Sequence, residues 1–341
     1  MNYRMPAEWE PHAATWLAWP HQPTDWPGKF EPIAWVYADI IRHLSRSEPV
    51  RLIVPGDGGI ARKCLERAHV DLAEVEFWTL PTDRSWIRDY GPIYVRDEHQ
   101  QRMMLDFHFN AWAKYDNWQA DDAIPAAIAT RQNTKAIQPM WQNRRIVLEG
   151  GSIDVNGQGL LLTTEECLLS SEQERNPGMT RSDYEAMFTQ YLGIEQVIWL
   201  NCGIVGDDTH GHVDDIARFV HPMTVVTVLE SNPQDANFDL LHENLERLKA
   251  VRIGGKRLEI IALPMPRPIV FEGQALPASY ANFYIGNHVV LMPTFNDPND
   301  RIALNILTDM FPERQVIGIH AVDLVWGLGT LHCLSQQEPQ A

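Results

Sequence analysis

The thirteen residues Asp207 to Phe219, DDTHGHVDDIARF, set four carboxylates and two imidazoles directly ahead of an apolar run. If Ile216 to Val220 is a strand that starts inside the fold, the acids before it sit crowded and partly desolvated at a strand mouth. His212 and Asp214 are two residues apart, and on an extended backbone their side chains leave the same face. A proton carrier and a fixed negative charge then aim at one point. Two other readings compete: an acidic loop stabilised by a His and Asp pair, and a zinc site of the His-x-His-x-Asp type from His210, His212 and Asp214.

Three further stretches carry chemical side chains. Cys333 lies in WGLGTLHCLSQQ, where glycines let backbone approach a ligand closely and a thiol is a candidate nucleophile, with the imidazole of His332 beside it. The other cysteines, Cys64, Cys167 and Cys202, read as packing residues. In WIRDYGP, Trp86 stands three residues before Asp89; an aromatic face with a carboxylate is a means of holding a planar cation. LEGGS puts Glu149 beside two glycines. Taken singly, each also fits a plain structural role: a core Trp with a turn Asp, and a bulge with a solvated Glu.

The elements that must position these residues follow a repeat. Thr15 to Trp19 reads as a strand, Ile33 to Leu44 as an amphipathic helix, and Val50 to Val54 and Val75 to Leu80 as strands. Strands Pro92 to Arg96 and Arg102 to Phe107 precede a helix over Asp121 to Thr130. Leu148 to Val155 and Leu160 to Thr164 flank the turn signal Asn156-Gly157, followed by a helix Arg181 to Tyr191 and a strand Gln196 to Leu200. Asp215 to Val220, Thr224 to Leu229, a helix Asp235 to Ala250 and Leu258 to Leu263 form the next round. Asn282 to Ile285, Val289 to Met292, a helix opened by Asp300 and Gln315 to Ile319 form another.

The unit is strand, strand, helix, strand. A fifth unit forms if a strand after Cys333 pairs with Thr15 to Trp19, closing a ring without free sheet ends. The expected architecture is therefore a single α/β domain over 1–341, with residues 335–341 as a polar tail. Asp89, Glu149, His212, Asp214 and Cys333 would all face one end of its axis.

Composition narrows the function. The 341 residues carry 45 acidic and 28 basic side chains, a formal charge of −17, which argues against a nucleic-acid groove and for a cationic partner. No CxxC pair occurs, so neither a zinc knuckle nor a disulfide framework is indicated. The start, MNYRMPAEWEPH, has no apolar leader, and no apolar run reaches about 18 residues, so a cytoplasmic protein with no membrane partner is expected.

Together the segments MPAEWEPHAATWLAWP, WIRDYGP, FNAWAKY, LEGGSIDVNGQG, TTEECLLS with ERNPGMT, GDDTHGHVDDIARF, LPASYANFYIGN and GLGTLHCLSQQEP resemble the agmatine deiminase and bacterial-type peptidylarginine deiminase family of guanidino-group-modifying enzymes. The resemblance covers nearly the whole chain. It implies a five-bladed α/β propeller of pseudo-symmetric ββαβ units, with Cys333 as nucleophile and His212 as general acid and base. It implies that Asp89 and Asp214 hold the guanidinium nitrogens, that Trp86 and Glu149 line the site, and that no metal or organic cofactor is needed. The implied reaction is hydrolysis of agmatine to N-carbamoylputrescine and ammonia through a covalent thiouronium, as in putrescine biosynthesis; a homodimer is compatible with it.

The chain departs from the family pattern at Arg84, where an Asp is common, at His210, and at GLG before Cys333. Arg84 bears on substrate choice. An arginine about 6 Å from a second substrate cation opposes it by roughly 3 kcal/mol at an effective dielectric constant of about 20, unless a carboxylate such as Asp83 pairs with it. The alternatives are a protein-arginine or free-arginine deiminase, an amidinotransferase, a non-catalytic binder of guanidine compounds and, on His210 with His212, a zinc hydrolase.

Overall fold

The computed structural model describes residues 3–340 and shows an α/β protein built on a recurring sheet pattern. Five sheets each begin with an antiparallel pair whose inner strand then pairs in parallel with a later one. Strand Ser335–Pro339 runs antiparallel to His12–Ala18, which is parallel to Val50–Val54, itself parallel to Val75–Thr79. The next sheets are Ile93–Arg96, Arg102–Leu105 and Ala136–Ile137, then Asp154–Val155, Leu160–Thr164 and Gln196–Leu200. Ala217–His221, Thr224–Leu229 and Glu259–Pro264 form the fourth, and Tyr284–Ile285, Val289–Thr294 and Gln315–His320 the fifth.

A parallel pair needs a crossover connection, and in every sheet a helix supplies it. These are Ile33–Leu44, Ile124–Gln132, Arg181–Leu192, Phe238–Ala250 and Asn299–Met310. Ile33–Leu44 buries Ile33, Tyr37, Ile40, Ile41 and Leu44 on one face, spacing that the sequence displays as apolar residues three and four apart. Burying each such Ile or Leu contributes about 1.5 to 3 kcal/mol. Arg181–Leu192 is started by a reciprocal cap between Thr180 and Asp183 and stopped by Gly193. Among the described residues, no helix is long and apolar enough to cross a membrane.

Several expectations change. Residues 335–341 are not a tail: Ser335–Pro339 is the strand that pairs with the amino-terminal strand, and Glu338 is fully buried against Arg51 and Arg102. Ala341 lies outside the described residues. The fourth sheet starts at Ala217, and Val213–Asp215 is a short 3-10 turn, so His212 and Asp214 converge from a tight turn instead of an extended strand. Likewise Leu148 to Val155 is strand only at Asp154–Val155, after a 3-10 turn at Gly150–Ser152.

Candidate active site

Each of the five sheets delivers a polar side chain from the segment that leads into its first strand. Asp89 sits in the helical turn Ile87–Tyr90, Glu149 before Gly150–Ser152, and Asp214 in Val213–Asp215. Asn282 stands before Tyr284–Ile285 and Cys333 before Ser335–Pro339. Trp86, Asp89 and Cys333 line a cleft of about 180 Å³ together with Asp25, Arg84, Trp112 and Tyr115. His212, Asp214 and Glu149 lie behind that lining and are buried. A wider cleft beside His108, Trp141 and Arg144 contains none of these groups.

The sulfur of Cys333 lies 3.8 Å from Oδ2 of Asp214 and accepts a hydrogen bond from Nδ2 of Asn282 at 3.1 Å. Burial, then the charges of Asp214, Asp215 and Asp89, push this thiol well above its usual range. The glycines of WGLGT are required by space: a Cβ on Gly329 would fall 2.8 Å from the indole of Trp86 and 3.1 Å from Cβ of Cys333. Trp86 can therefore lie directly against the nucleophile's loop, where Trp26 stacks on it at 5.2 Å between ring centroids.

His212 faces the two aspartates. Its Nδ1 is 3.8 Å from Oδ1 of Asp89, and a Cβ on Gly151 would intrude at 2.5 Å from Nδ1, 2.9 Å from Asp89 and 3.1 Å from Asp214. Gly151 thus leaves the point where the three groups meet open. Burial opposes a charge on His212, but Asp89, Cys167 and Asp214 outweigh it and raise the imidazole well above its usual value. Asp89 is held by the indole N–H of Trp112 at 2.8 Å and the backbone N–H of Gly151 at 3.0 Å. Burial, the largest influence, carries its carboxyl up to about 6 against the pull of His212.

Glu149, which the family resemblance implies lines the site, is not among the residues that line the cleft and is fully buried. Its Oε1 accepts from Nε of Arg175 at 2.9 Å, and its carboxylate lies within 4.8 Å of ring nitrogen in His212 and of the Cys167 sulfur. It backs the imidazole. His210 turns away, with Nε2 3.1 Å from Oγ of Ser170, so His210, His212 and Asp214 do not form the zinc arrangement. Arg84 does line the cleft, but pairs with Asp25 at 2.8 Å and not with Asp83, and stacks 4.4 Å from the ring centroid of Tyr115.

Buried polar atoms without partners are rare in folded proteins, and where several meet at one point they suit a polar ligand. Oδ1 of Asp214, Oε2 of Glu149 and both ring nitrogens of His212 are such atoms. A planar cation with several N–H donors would satisfy the carboxylate oxygens, beside a thiol placed to attack. Asn282, Trp112 and Gly151 were missed as site residues by sequence reasoning. Their only signal was membership in LPASYANFYIGN, FNAWAKY and LEGGS.

Comparison with known proteins agrees. A family model described as Porphyromonas-type peptidyl-arginine deiminase matches residues 4–339. An agmatine deiminase of Ectopseudomonas mendocina is 34% identical over 362 residues, covering 99% of this chain and 96% of that one. One from Pseudomonas aeruginosa is 33% identical, with the same shares covered. Among solved structures, a C. jejuni agmatine deiminase with substrate bound superposes with a TM-score of 0.89 at 29% identity, covering 99% of this chain and 96% of that chain. An agmatine deiminase of Enterococcus faecalis gives 0.89 at 31% identity with the same shares. An amidinotransferase from Microseira wollei, 10% identical with a TM-score of 0.54, shares the fold alone over 98% of this chain and 96% of that one.

Proposed function

The chain belongs to the Porphyromonas-type peptidyl-arginine deiminase family, and from that membership we propose that it is an agmatine deiminase, hydrolysing agmatine to N-carbamoylputrescine and ammonia. The observation that carries this reading is the convergence of the Cys333 thiol, the His212 imidazole and the unpartnered Oδ1 of Asp214 behind a cleft lined by Trp86 and Asp89. Relatives that match along the full length bear the same activity in their names.

The chemistry follows from the charges. Burial and the charges of Asp214, Asp215 and Asp89 disfavour the Cys333 thiolate. A guanidinium held between Asp89 and Asp214 cancels that repulsion, so the substrate itself favours loss of the thiol proton to solvent. The thiolate then adds to the guanidinium carbon, whose electron pair moves onto nitrogen. His212, an imidazolium in this setting, gives its proton to the departing nitrogen, and the carbon–nitrogen bond breaks to release ammonia. A thiouronium remains on Cys333. Neutral His212 takes one proton from water as that water attacks, the carbon–sulfur bond breaks to return the thiolate, and the remaining hydroxyl proton passes to solvent as the neutral carbamoyl group forms and the product leaves.

We further propose that the five sheets are the blades of a five-bladed α/β propeller in one domain, closed by Ser335–Pro339 on His12–Ala18. The four free cysteines suit a reducing compartment, and we assign the protein to the cytoplasm. A second reading, a deiminase of arginine or peptidyl-arginine, is favoured by one observation, the cation of Arg84 in the wall of the cleft. An ammonia-release assay on agmatine, arginine and a blocked arginine peptide, side by side, tests both. Highest kcat/KM on agmatine is expected, and preference for either other substrate overturns the first reading.

A further inference from the structure

Asp214 does not stand alone behind the cleft. Its Oδ2 lies 2.7 Å from Nδ1 of His332, and Nε2 of the same ring lies 2.7 Å from Oε2 of Glu8. All three side chains are buried, and neither His332 nor Glu8 lines the cleft. Glu8 is pinned in turn by Nη2 of Arg218 at 3.0 Å, Nη2 of Arg88 at 3.3 Å and the backbone N–H of Ile285 at 2.8 Å. Arg218 continues to Asp154 at 2.6 Å, and Arg88 to Gln336 at 2.6 Å. The far end of the line is therefore fixed by groups from several sheets.

The proton count follows from the geometry. A neutral imidazole has one N–H and one bare lone pair. Between two carboxylates at hydrogen-bond distance, that lone pair would face an acceptor among buried side chains. Both contacts are satisfied only if the three groups hold one proton more than a neutral ring and two carboxylates. Burial, then Arg218 and Arg88, push the His332 ring down, and Glu8 and Asp214 push it up. The net push on the ring is down; against it stand the two 2.7 Å contacts, which a neutral imidazole between two carboxylates cannot both satisfy and which place the extra proton in the line as a whole.

We propose that His332 and Glu8 are positioning residues for Asp214, a relay along which one proton is shared, so that Oδ2 of Asp214 is fixed beside the Cys333 sulfur and the unpartnered Oδ1 is left to accept from the substrate. The inference rests on the deiminase reading of Asp214. It gives a role to two segments that otherwise have none, AEWEP at the amino terminus and the histidine that precedes the nucleophile.

Glu8→Gln and His332→Gln in the full chain test it. Each should lower kcat for agmatine by about ten- to a hundredfold through misalignment, with a smaller change in KM. Each should also steepen the acid limb of kcat/KM that Asp89 sets and carry it to higher pH, because the cation that holds Asp214 below its usual range is weakened or lost and a second carboxylate then titrates on that limb. A merely structural role would lower Tm and leave that limb in place, and an unmoved limb overturns the proposal. Should both variants fail to fold, the histidine ring N–H resonances of the resting wild-type protein decide: a downfield, exchange-protected pair from His332 is expected, and its absence overturns the relay. That measurement needs no substrate. A wild-type protein inactive on agmatine would sink the deiminase reading separately.

Discussion

The side-chain amide of Asn282 donates to the sulfur of Cys333 at 3.1 Å, while its carbonyl oxygen accepts from Oγ1 of Thr330 at 2.8 Å and the backbone N–H of His332 at 3.0 Å. One residue thus shapes the nucleophile's loop and touches the nucleophile. A hydrogen bond to a charged group is worth about 1.5 to 3 kcal/mol, so Asn282→Ala should slow turnover by roughly ten- to a hundredfold. It should also shift the alkylation of Cys333 by iodoacetamide to higher pH. Alkylation with a wild-type pH profile would show that the amide only shapes the loop.

Asp89→Asn and Asp214→Asn should each cost several orders of magnitude in kcat while leaving the circular dichroism spectrum unchanged. Near-normal turnover in either would make that carboxylate structural.

The pH dependence of the wild type carries its own sign. Burial, outweighing His212, pushes the Asp89 carboxyl up to about 6. Below about that pH it becomes neutral and loses its hold on a guanidinium, so kcat/KM should fall on the acid side. Its folded value lies above the unfolded one, so its charge costs stability as pH rises from about 4 through 6. Asp89→Asn at pH 7 should therefore keep Tm at or above the wild-type value, and a clear drop would contradict this assignment of strain.

Cys333 and His212 should separate when the substrate carries a better leaving group. His212→Ala treated with an S-alkylated isothiourea should gain the mass of an amidino-derived adduct, mapped to Cys333 and not to Cys64, Cys167 or Cys202. Cys333→Ala should form no adduct and release no ammonia. Turnover by Cys333→Ala, or modification of another cysteine, would defeat the covalent route.

Arg84→Gln should raise kcat/KM for agmatine relative to arginine by about tenfold. The gain is smaller than the roughly 3 kcal/mol opposition of an unpaired arginine, because Asp25 already neutralises much of this charge. A fall in that ratio would mean that Arg84 supports binding of the substrate tail.

Regular elements were legible because their periodicity is local: Val50–Val54, Gln196–Leu200 and Thr224–Leu229 fall where alternation and apolar runs place them. A strand after Cys333 was expected to close on the amino-terminal strand, and it does, but its place at Ser335–Pro339 was not legible, since these residues read as a polar tail. Its sequence, SQQEP, has no apolar alternation, and its burial rests on long-range pairing of Glu338 with Arg51, Arg102 and the indole of Trp16. The chemical side chains could be read from type and spacing. Asn282 and Trp112 could not, because an amide in a strand-like segment and an indole in an aromatic one look the same whether they touch a nucleophile or only pack. Arg84 was placed beside the wrong carboxylate, since Asp83 is its chain neighbour but Asp25 is its spatial one.

The pairing of Ser335–Pro339 with His12–Ala18 joins almost the first strand to be synthesised with the last. During translation the edge of His12–Ala18 waits unpaired for nearly the whole length of the chain, and Cys333 emerges only just before its partner strand. No chain that stops short of Ser335 carries both the nucleophile and a closed first sheet. A nascent or truncated product therefore holds Asp89, His212 and Asp214 without the means to react, and it exposes a strand edge that invites pairing with other chains. Closure of this sheet and assembly of the nucleophile's loop are therefore one event in folding.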